Sequence, residues 1–205
     1  MAELTDMYAQ IRVCTKCDLS QSRTNAVPGE GPEHAEIMFI GEAPGFHEDR
    51  QGRPFVGAAG QFLDDLLNMI GMDRGKVYIT NVVKCRPPQN REPRPDEIEA
   101  CRPYLDRQIE LIQPKVIITI SRFAMARWFP NKKISEIHGK PKRFDNLVVL
   151  PMYHPAAALH QPGLKAVLEA DFKRVPQILK EMAQLPSAED GEAKPKPPTE
   201  QLTMF

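Results

Sequence analysis

Four short apolar runs constrain this chain more than anything else in it: residues 37–40 (IMFI), 77–83 (VYITNVV), 116–120 (VIITI) and 147–150 (LVVL). They are rich in Val and Ile and hardly alternate between apolar and polar, the pattern of strands in a parallel sheet covered on both faces. Parallel neighbours need long crossovers, and helical patterns lie between these runs. Residues 61–70 set Phe62, Leu63, Leu66, Leu67 and Ile70 on one face, with Gly71 placed as a stop. Residues 95–112 begin Pro95-Asp96-Glu97, a good first turn, and carry Ile98, Cys101, Leu105, Ile109 and Ile112 as a stripe. Weaker helical patterns cover 122–129 and 164–182. The alternation predicts an α/β fold, a three-layer α/β/α sandwich on a four-stranded parallel sheet, spanning residues 1–186.

Beyond Pro186 the composition changes. SAEDGEAKPKPPTE is polar, proline-rich and free of bulky apolar residues, so 187–205 reads as a disordered tether. It ends in Gln201-Leu202-Thr203-Met204-Phe205, whose three apolar side chains have nothing of their own to pack on. No apolar run is long enough to span a membrane. The N-terminal stretch lacks a charged start followed by an apolar segment, so a cytoplasmic protein is expected. Net charge is zero, so overall basicity gives no argument for nucleic acid. Residues 122–143 nevertheless hold seven Lys/Arg against one acid, Glu136, which reads either as a solvated face or as a local phosphate-attracting patch.

In an open α/β sheet ligands bind at the C-terminal strand ends, and the least ordinary stretches of this sequence fall there. The first run enters GEAPGFHEDRQGRPFVGAAG, residues 41–60, with five glycines and two prolines. The second leads through Asn81 to Lys84-Cys85-Arg86-Pro87-Pro88, the third to Ser121-Arg122, and the fourth to Tyr153-His154-Pro155 and Leu159. Acid, amide, imidazole and aromatic groups should therefore converge on one rim. Gly41 and Gly45 let the backbone approach a ligand, Pro44 and Pro54 hold the turn still, and Phe55 can cover a planar ring. Taken singly, Asn81 reads as a turn cap, His154 as a structural histidine and Phe55 as core. Their joint position argues for a site. Gly29-Glu30-Gly31 is too short for a dinucleotide fingerprint, and no Gly-Lys-Ser/Thr phosphate loop is present.

Cys14 and Cys17 form a C-x2-C pair, while Cys85 and Cys101 are separated by fifteen residues. Four cysteines without a secretory signal suggest a metal site, and spacing alone does not choose between zinc and an iron–sulfur cluster. Ligands so distant in sequence would staple the N-terminal segment and the 85–101 loop onto the sheet.

From about Cys14 to the 164–182 helix the sequence resembles the family 4, iron–sulfur uracil-DNA glycosylases. GEAPG with EDRQGRPFVGAAG, NVVKCRPPQNR and HPAAAL match that family's motifs in order and spacing, and the cysteine pattern matches too. The resemblance implies a 4Fe–4S cluster on Cys14, Cys17, Cys85 and Cys101, and a DNA-repair enzyme that flips uracil out of DNA and hydrolyses its glycosidic bond. It implies that Phe55 stacks on uracil, that Asn81 reads its Watson–Crick edge, and that His154 faces O2. Glu42 and the Ala43 backbone would line the pocket, and Glu42 or Asp49 would position water or balance the cationic sugar. Glu48 would crowd the C5 edge and exclude a thymine methyl. Arg86, Arg91, Arg94 and the 122–143 patch would grip phosphates.

The sequence departs from the family at His138, where Arg often precedes Gly139, and at Ser121-Arg-Phe-Ala-Met125, in place of a Gly-Ala-rich turn. A related branch traps uracil-DNA covalently through a histidine in a basic loop; segment 86–100 has none, which favours turnover. QLTMF resembles the pentapeptide by which bacterial repair proteins bind the sliding clamp, with Gln201 at the rim and Leu202, Met204 and Phe205 in an apolar groove. The expectation is therefore a monomeric, nucleoid-associated glycosylase. The rival classes are a non-catalytic or cross-linking uracil-DNA sensor and an iron–sulfur electron carrier.

Overall fold

The computed structural model describes residues 2–182 and 185. The tether and the 201–205 pentapeptide lie outside the described residues. The elements run α1 (Ala2–Val13), α2 (Leu19–Ser22), β1 (Ile37–Gly41), α3 (Phe46–Gln51), α4 (Ala58–Met69) and β2 (Val77–Asn81). They continue, after a 3-10 turn at Pro88–Asn90, with α5 (Pro95–Ile112), β3 (Val116–Thr119), α6 (Arg122–Ala126), α7 (Ile134–Ile137), β4 (Lys142–Phe144) and β5 (Leu147–Pro151). The last are α8 (Pro155–His160), α9 (Pro162–Lys173) and α10 (Val175–Lys180).

The sheet order is β2-β1-β3-β5-β4. All four expected strands are present and mutually parallel. Their lack of alternation has a direct cause: both faces are buried, by different helices. Met38, Ile40, Tyr78, Ile117 and Val149 face a core shared with Leu4, Met7 and Ile11 of α1 and Leu105 and Ile112 of α5. Ile37, Phe39, Val77, Ile79, Ile118 and Leu150 face the other, shared with Leu63, Leu66 and Leu67 of α4 and Leu168 and Phe172 of α9. Three layers follow.

The expected four-stranded sheet is corrected to five. β4 pairs antiparallel with β5 at the edge, Arg143 opposite Val148. Lys142-Arg143-Phe144 carries no apolar run to signal a strand, and edge strands commonly carry charge that deters further pairing. Asp145, with φ of 54°, makes the tight return. The 77–83 run leaves the ladder at Asn81. Val82 and Val83 instead donate to the carbonyls of Gly41 and Glu42, lashing the two strand-end loops together. The expected 164–182 helix divides at Arg174, just before Pro176, into α9 and α10. α5 has the expected bounds. Its first turn is set by Glu97, which is fully buried and takes the Arg94 main-chain N–H at 2.7 Å and both Arg91 Nη atoms at 2.9 and 2.6 Å. That carboxylate anchors the loop between Cys85 and α5.

Candidate active site

The ends of β1 and β2 are level, with Gly41 opposite Asn81. A Cβ at Gly41 would stand 2.3 Å from Asn81 Oδ1 and 2.8 Å from the Phe55 ring, so only glycine lets amide and aromatic approach each other here. Phe55 is held in the left-handed region, φ 53°, a conformation that costs a non-glycine residue about 1–3 kcal/mol. Several contacts impose it. Arg74 donates to the carbonyls of Pro54 and Phe55 while Asp64 fixes its Nε at 2.7 Å. Glu48 Oε1 takes the N–H groups of Val56 and Gly57, both at 2.9 Å. Gly60 in the first turn of α4 runs so close below that an added Cβ would meet the Phe55 carbonyl oxygen at 1.7 Å. The Phe55 ring is therefore fixed, and lies 5.7 Å from that of His154 at 26°.

Pro155 opens α8, and His154 caps it. His154 Nδ1 accepts the Ala156 N–H at 3.0 Å, which leaves the ring proton on Nε2. Burial pushes the imidazole down to about 4, partly opposed by Glu48, so it is a neutral donor at pH 7. Glu42 is half-buried. Desolvation raises its carboxyl, Glu92 adds to this, and Arg122 opposes it. These groups line one cavity of about 400 Å³, with Glu42, Glu48, Phe55, Asn81, Arg91 and His154 in its wall. Asn81 is 2% exposed, and its Oδ1 has no hydrogen-bond partner among the described residues. Other buried polar atoms, Thr119 Oγ1 and Trp128 Nε1 among them, are likewise unpartnered among the described residues, but of these residues Asn81 is the one that borders the cavity, where a ligand N–H can reach it.

Residues 28–180 match the family described as the uracil DNA glycosylase superfamily. The chain is 49% identical over 188 residues to the type-4 uracil-DNA glycosylase of Sulfurisphaera tokodaii, covering 87% of this chain and 86% of that protein. It is 47% identical over 188 residues to that of Archaeoglobus fulgidus, covering 87% and 94%. With that of Thermotoga maritima it shares 40% over 184 residues, covering 87% and 96%. The chain belongs to the uracil-DNA glycosylase superfamily.

Of the glycosylase residues expected from sequence, Glu42, Ala43, Glu48, Phe55, Asn81 and His154 meet at this cavity. Asp49 does not. It is 3% exposed, and its Oδ1 accepts from the main-chain N–H groups of Thr24 and Asn25, so it ties the 23–25 strap to α3 instead of facing substrate. Sequence placed it near the acids of the loop; only the helical turn of α3 separates Asp49 from Glu48. The expected phosphate grips are also largely committed. Arg91 is held by Glu97, and Arg94 by Asp18, Asp96 and Glu97. Arg122 pairs with Glu92, and Arg127 with Asp106. His138 stands outside this cavity, its Nδ1 2.8 Å from Asp171 Oδ2 and its ring against Tyr153.

Cys14, Cys17, Cys85 and Cys101 line a second cavity, together with Arg23, Lys84 and Tyr104. Arg23 Nη1 donates to Cys85 Sγ at 3.0 Å, and the Lys84 N–H to Cys101 Sγ at 3.3 Å. Arg74, Gly60 and Lys84 were not read from sequence as site residues. The signal for Lys84 was there: a lysine directly after the apolar Val82-Val83. Arg74 and Gly60 act only through backbone close to them in space, which leaves no local mark.

The His154 imidazole should titrate near pH 4, followed by NMR of ring-labelled histidine. Because its folded value lies below the unfolded one of about 6.5, it contributes stability above that pH which is lost as pH falls toward 4. A midpoint near 6.5 would contradict the geometry described.

Proposed function

We propose that this chain removes uracil from DNA as a monofunctional glycosylase, acting on chromosomal DNA in the cytoplasm as a monomer. The observation that carries the reading is the buried, unpartnered Oδ1 of Asn81 in the cavity that Phe55 and the neutral His154 also line. Uracil offers N3–H to that oxygen and O4 to the same amide's Nδ2, while Phe55 covers the ring face. Cytosine presents the reverse pattern, an acceptor at N3 and a donor at C4, and is refused by unmatched polar groups rather than by size. Glu48, pinned by Val56 and Gly57, stands as the group that crowds C5 against a thymine methyl.

Cleavage of the N1–C1′ bond leaves negative charge on uracil and positive charge on the sugar. The His154 Nε2–H is a fixed neutral donor for O2, where the negative charge collects. Glu42 balances the sugar cation and orients the water whose oxygen bonds to C1′; its carboxylate takes the proton that water gives up. The base must first leave the stack, at a cost of a few kcal/mol. Two exposed apolar side chains support that step. Leu159, 47% exposed, stands one turn on from Ala156 and fits a wedge between base steps. Phe46, 46% exposed, carries the guanidiniums of Arg50 and Arg86 over its ring at 5.6 and 5.1 Å, a stacking and phosphate-facing surface.

We infer a 4Fe–4S cluster at the four cysteines from the resemblance to the iron–sulfur glycosylases; their sharing of one cavity supports a common ligand set. Cys14, Cys17, Cys85 and Cys101 would hold the cluster. Bound there, it would supply a covalent staple between the α1–α2 segment, the loop after β2 and α5.

Incubation with a uracil-containing oligonucleotide followed by alkali should give strand cleavage with turnover. Asn81→Ala should lose at least about 100-fold in excision while keeping the visible absorbance of iron–sulfur. A colourless wild type, or an Asn81→Ala variant as active as wild type, would overturn the reading.

We propose further that Gln201, Leu202, Met204 and Phe205 dock on the sliding clamp, delivered by the polar tether. Deleting 201–205 should abolish clamp pull-down and leave excision on short oligonucleotides intact; persistent clamp binding would sink this.

A further inference from the structure

Lys84 is a fully buried charge that the excision chemistry does not use. It is 1% exposed. Its Nζ donates to Thr80 Oγ1 at 2.7 Å, to the Asn81 carbonyl at 2.7 Å and to Gln108 Oε1 at 2.6 Å, which satisfies all three of its N–H bonds with neutral acceptors. No carboxylate among the described residues pairs with it. Lys84 directly precedes Cys85 in the chain. Lys84 is also among the residues that line the four-cysteine cavity, and its main-chain N–H reaches Cys101 Sγ.

Its acceptors lead outward. Gln108 Nε2 donates to the Pro28 carbonyl at 2.7 Å and to Tyr78 at 2.9 Å, and the Tyr78 hydroxyl meets that of Tyr8 at 2.5 Å. Thr80 Oγ1 reaches the Pro28 carbonyl at 2.9 Å. One buried polar chain therefore joins α1, which leads to Cys14, to α5, which carries Cys101, and to the residue whose amide is left open at the uracil cavity. Hydrogen bonds meet the geometric needs of a buried ammonium but not its net charge. A group held by cysteine thiolates is anionic, and in the cavity that Lys84 helps to line it would supply that compensation.

We infer that Lys84 is the counter-charge of the four-cysteine site and, through the Asn81 carbonyl, a positioning residue that ties occupancy of that site to the setting of the base-reading amide. The inference rests on the iron–sulfur reading above. Removing the ammonium leaves the cluster without its compensating charge and Asn81 without its main-chain anchor.

The test uses the full chain prepared with its iron: wild type, Lys84→Met, and the double variant Lys84→Met with Gln108→Leu. The double variant removes the ammonium and its amide acceptor together. Thr80 keeps Pro28 and Tyr78 keeps Tyr8, so it remains foldable if the single variant is not. The midpoint potential of the visible chromophore is measured by dye-mediated titration. Excision is measured as kcat and KM per intact cluster. Loss of a nearby positive charge makes the added electron less welcome, so the potential should move to more negative values. Excision per cluster should fall at least tenfold in kcat/KM, and bleaching under chelator should quicken at least tenfold. An unchanged potential, or excision per cluster equal to wild type, overturns the inference. A wild type without iron or without excision would fail separately, by removing the reading on which it stands.

Discussion

The absence of a side chain at Gly41 is the constraint on which the site depends. Parallel pairing sets Gly41 level with Asn81, and the missing Cβ leaves room for the Asn81 amide and the Phe55 ring to meet over the strand ends. Everything else keeps that meeting in place. Arg74 and Glu48 hold the strained Phe55 backbone from two sides, and Gly60 lets α4 pass beneath it. His154 closes the far side because Pro155 starts a helix there and its Nδ1 is spent on capping it. A rigid aromatic face, an amide with one unmet acceptor and a neutral N–H donor then line one cavity. Preorganised polar groups of this kind lower a barrier because they need no rearrangement as charge develops.

A second tier of buried charge supports the first. Glu97 secures the 86–94 loop through Arg91, which borders the cavity, and starts α5, which carries Cys101. Lys84 secures the turn between Asn81 and Cys85. The cavity and the four-cysteine site are therefore not independent attachments to a scaffold. They share β2 and the few residues after it, so order in one limits disorder in the other.

Much of this was legible in the sequence, for identifiable reasons. Val- and Ile-rich runs without alternation marked both-faced burial, and the two cores on either side of Phe39 and Ile40 bear that out. The bounds of α5 were legible because Pro95 and the acids after it are strong start signals. β4 was hidden because three residues of an edge strand, two of them basic, carry no pattern. Asn81 and His154 could be located because strand ends gather ligands in such sheets. Asp49 was misplaced because a one-residue step along a helix turns a side chain by about 100°, which a motif does not display. Arg74 and Gly60 were invisible because what they meet at Phe55 is backbone carbonyl, which any residue supplies.

The central claim is that the Asn81 amide, beside Phe55 and His154, recognises the imide face of a single pyrimidine. It is tested most directly by titrating free uracil into the labelled protein and following the Asn81 side-chain NH2 and the His154 Nε2–H by NMR. Uracil should shift both resonances together with saturable behaviour, while cytosine at the same concentrations leaves both in place. Shifts of equal size with cytosine, or uracil shifts confined to residues away from this cavity, would contradict the account.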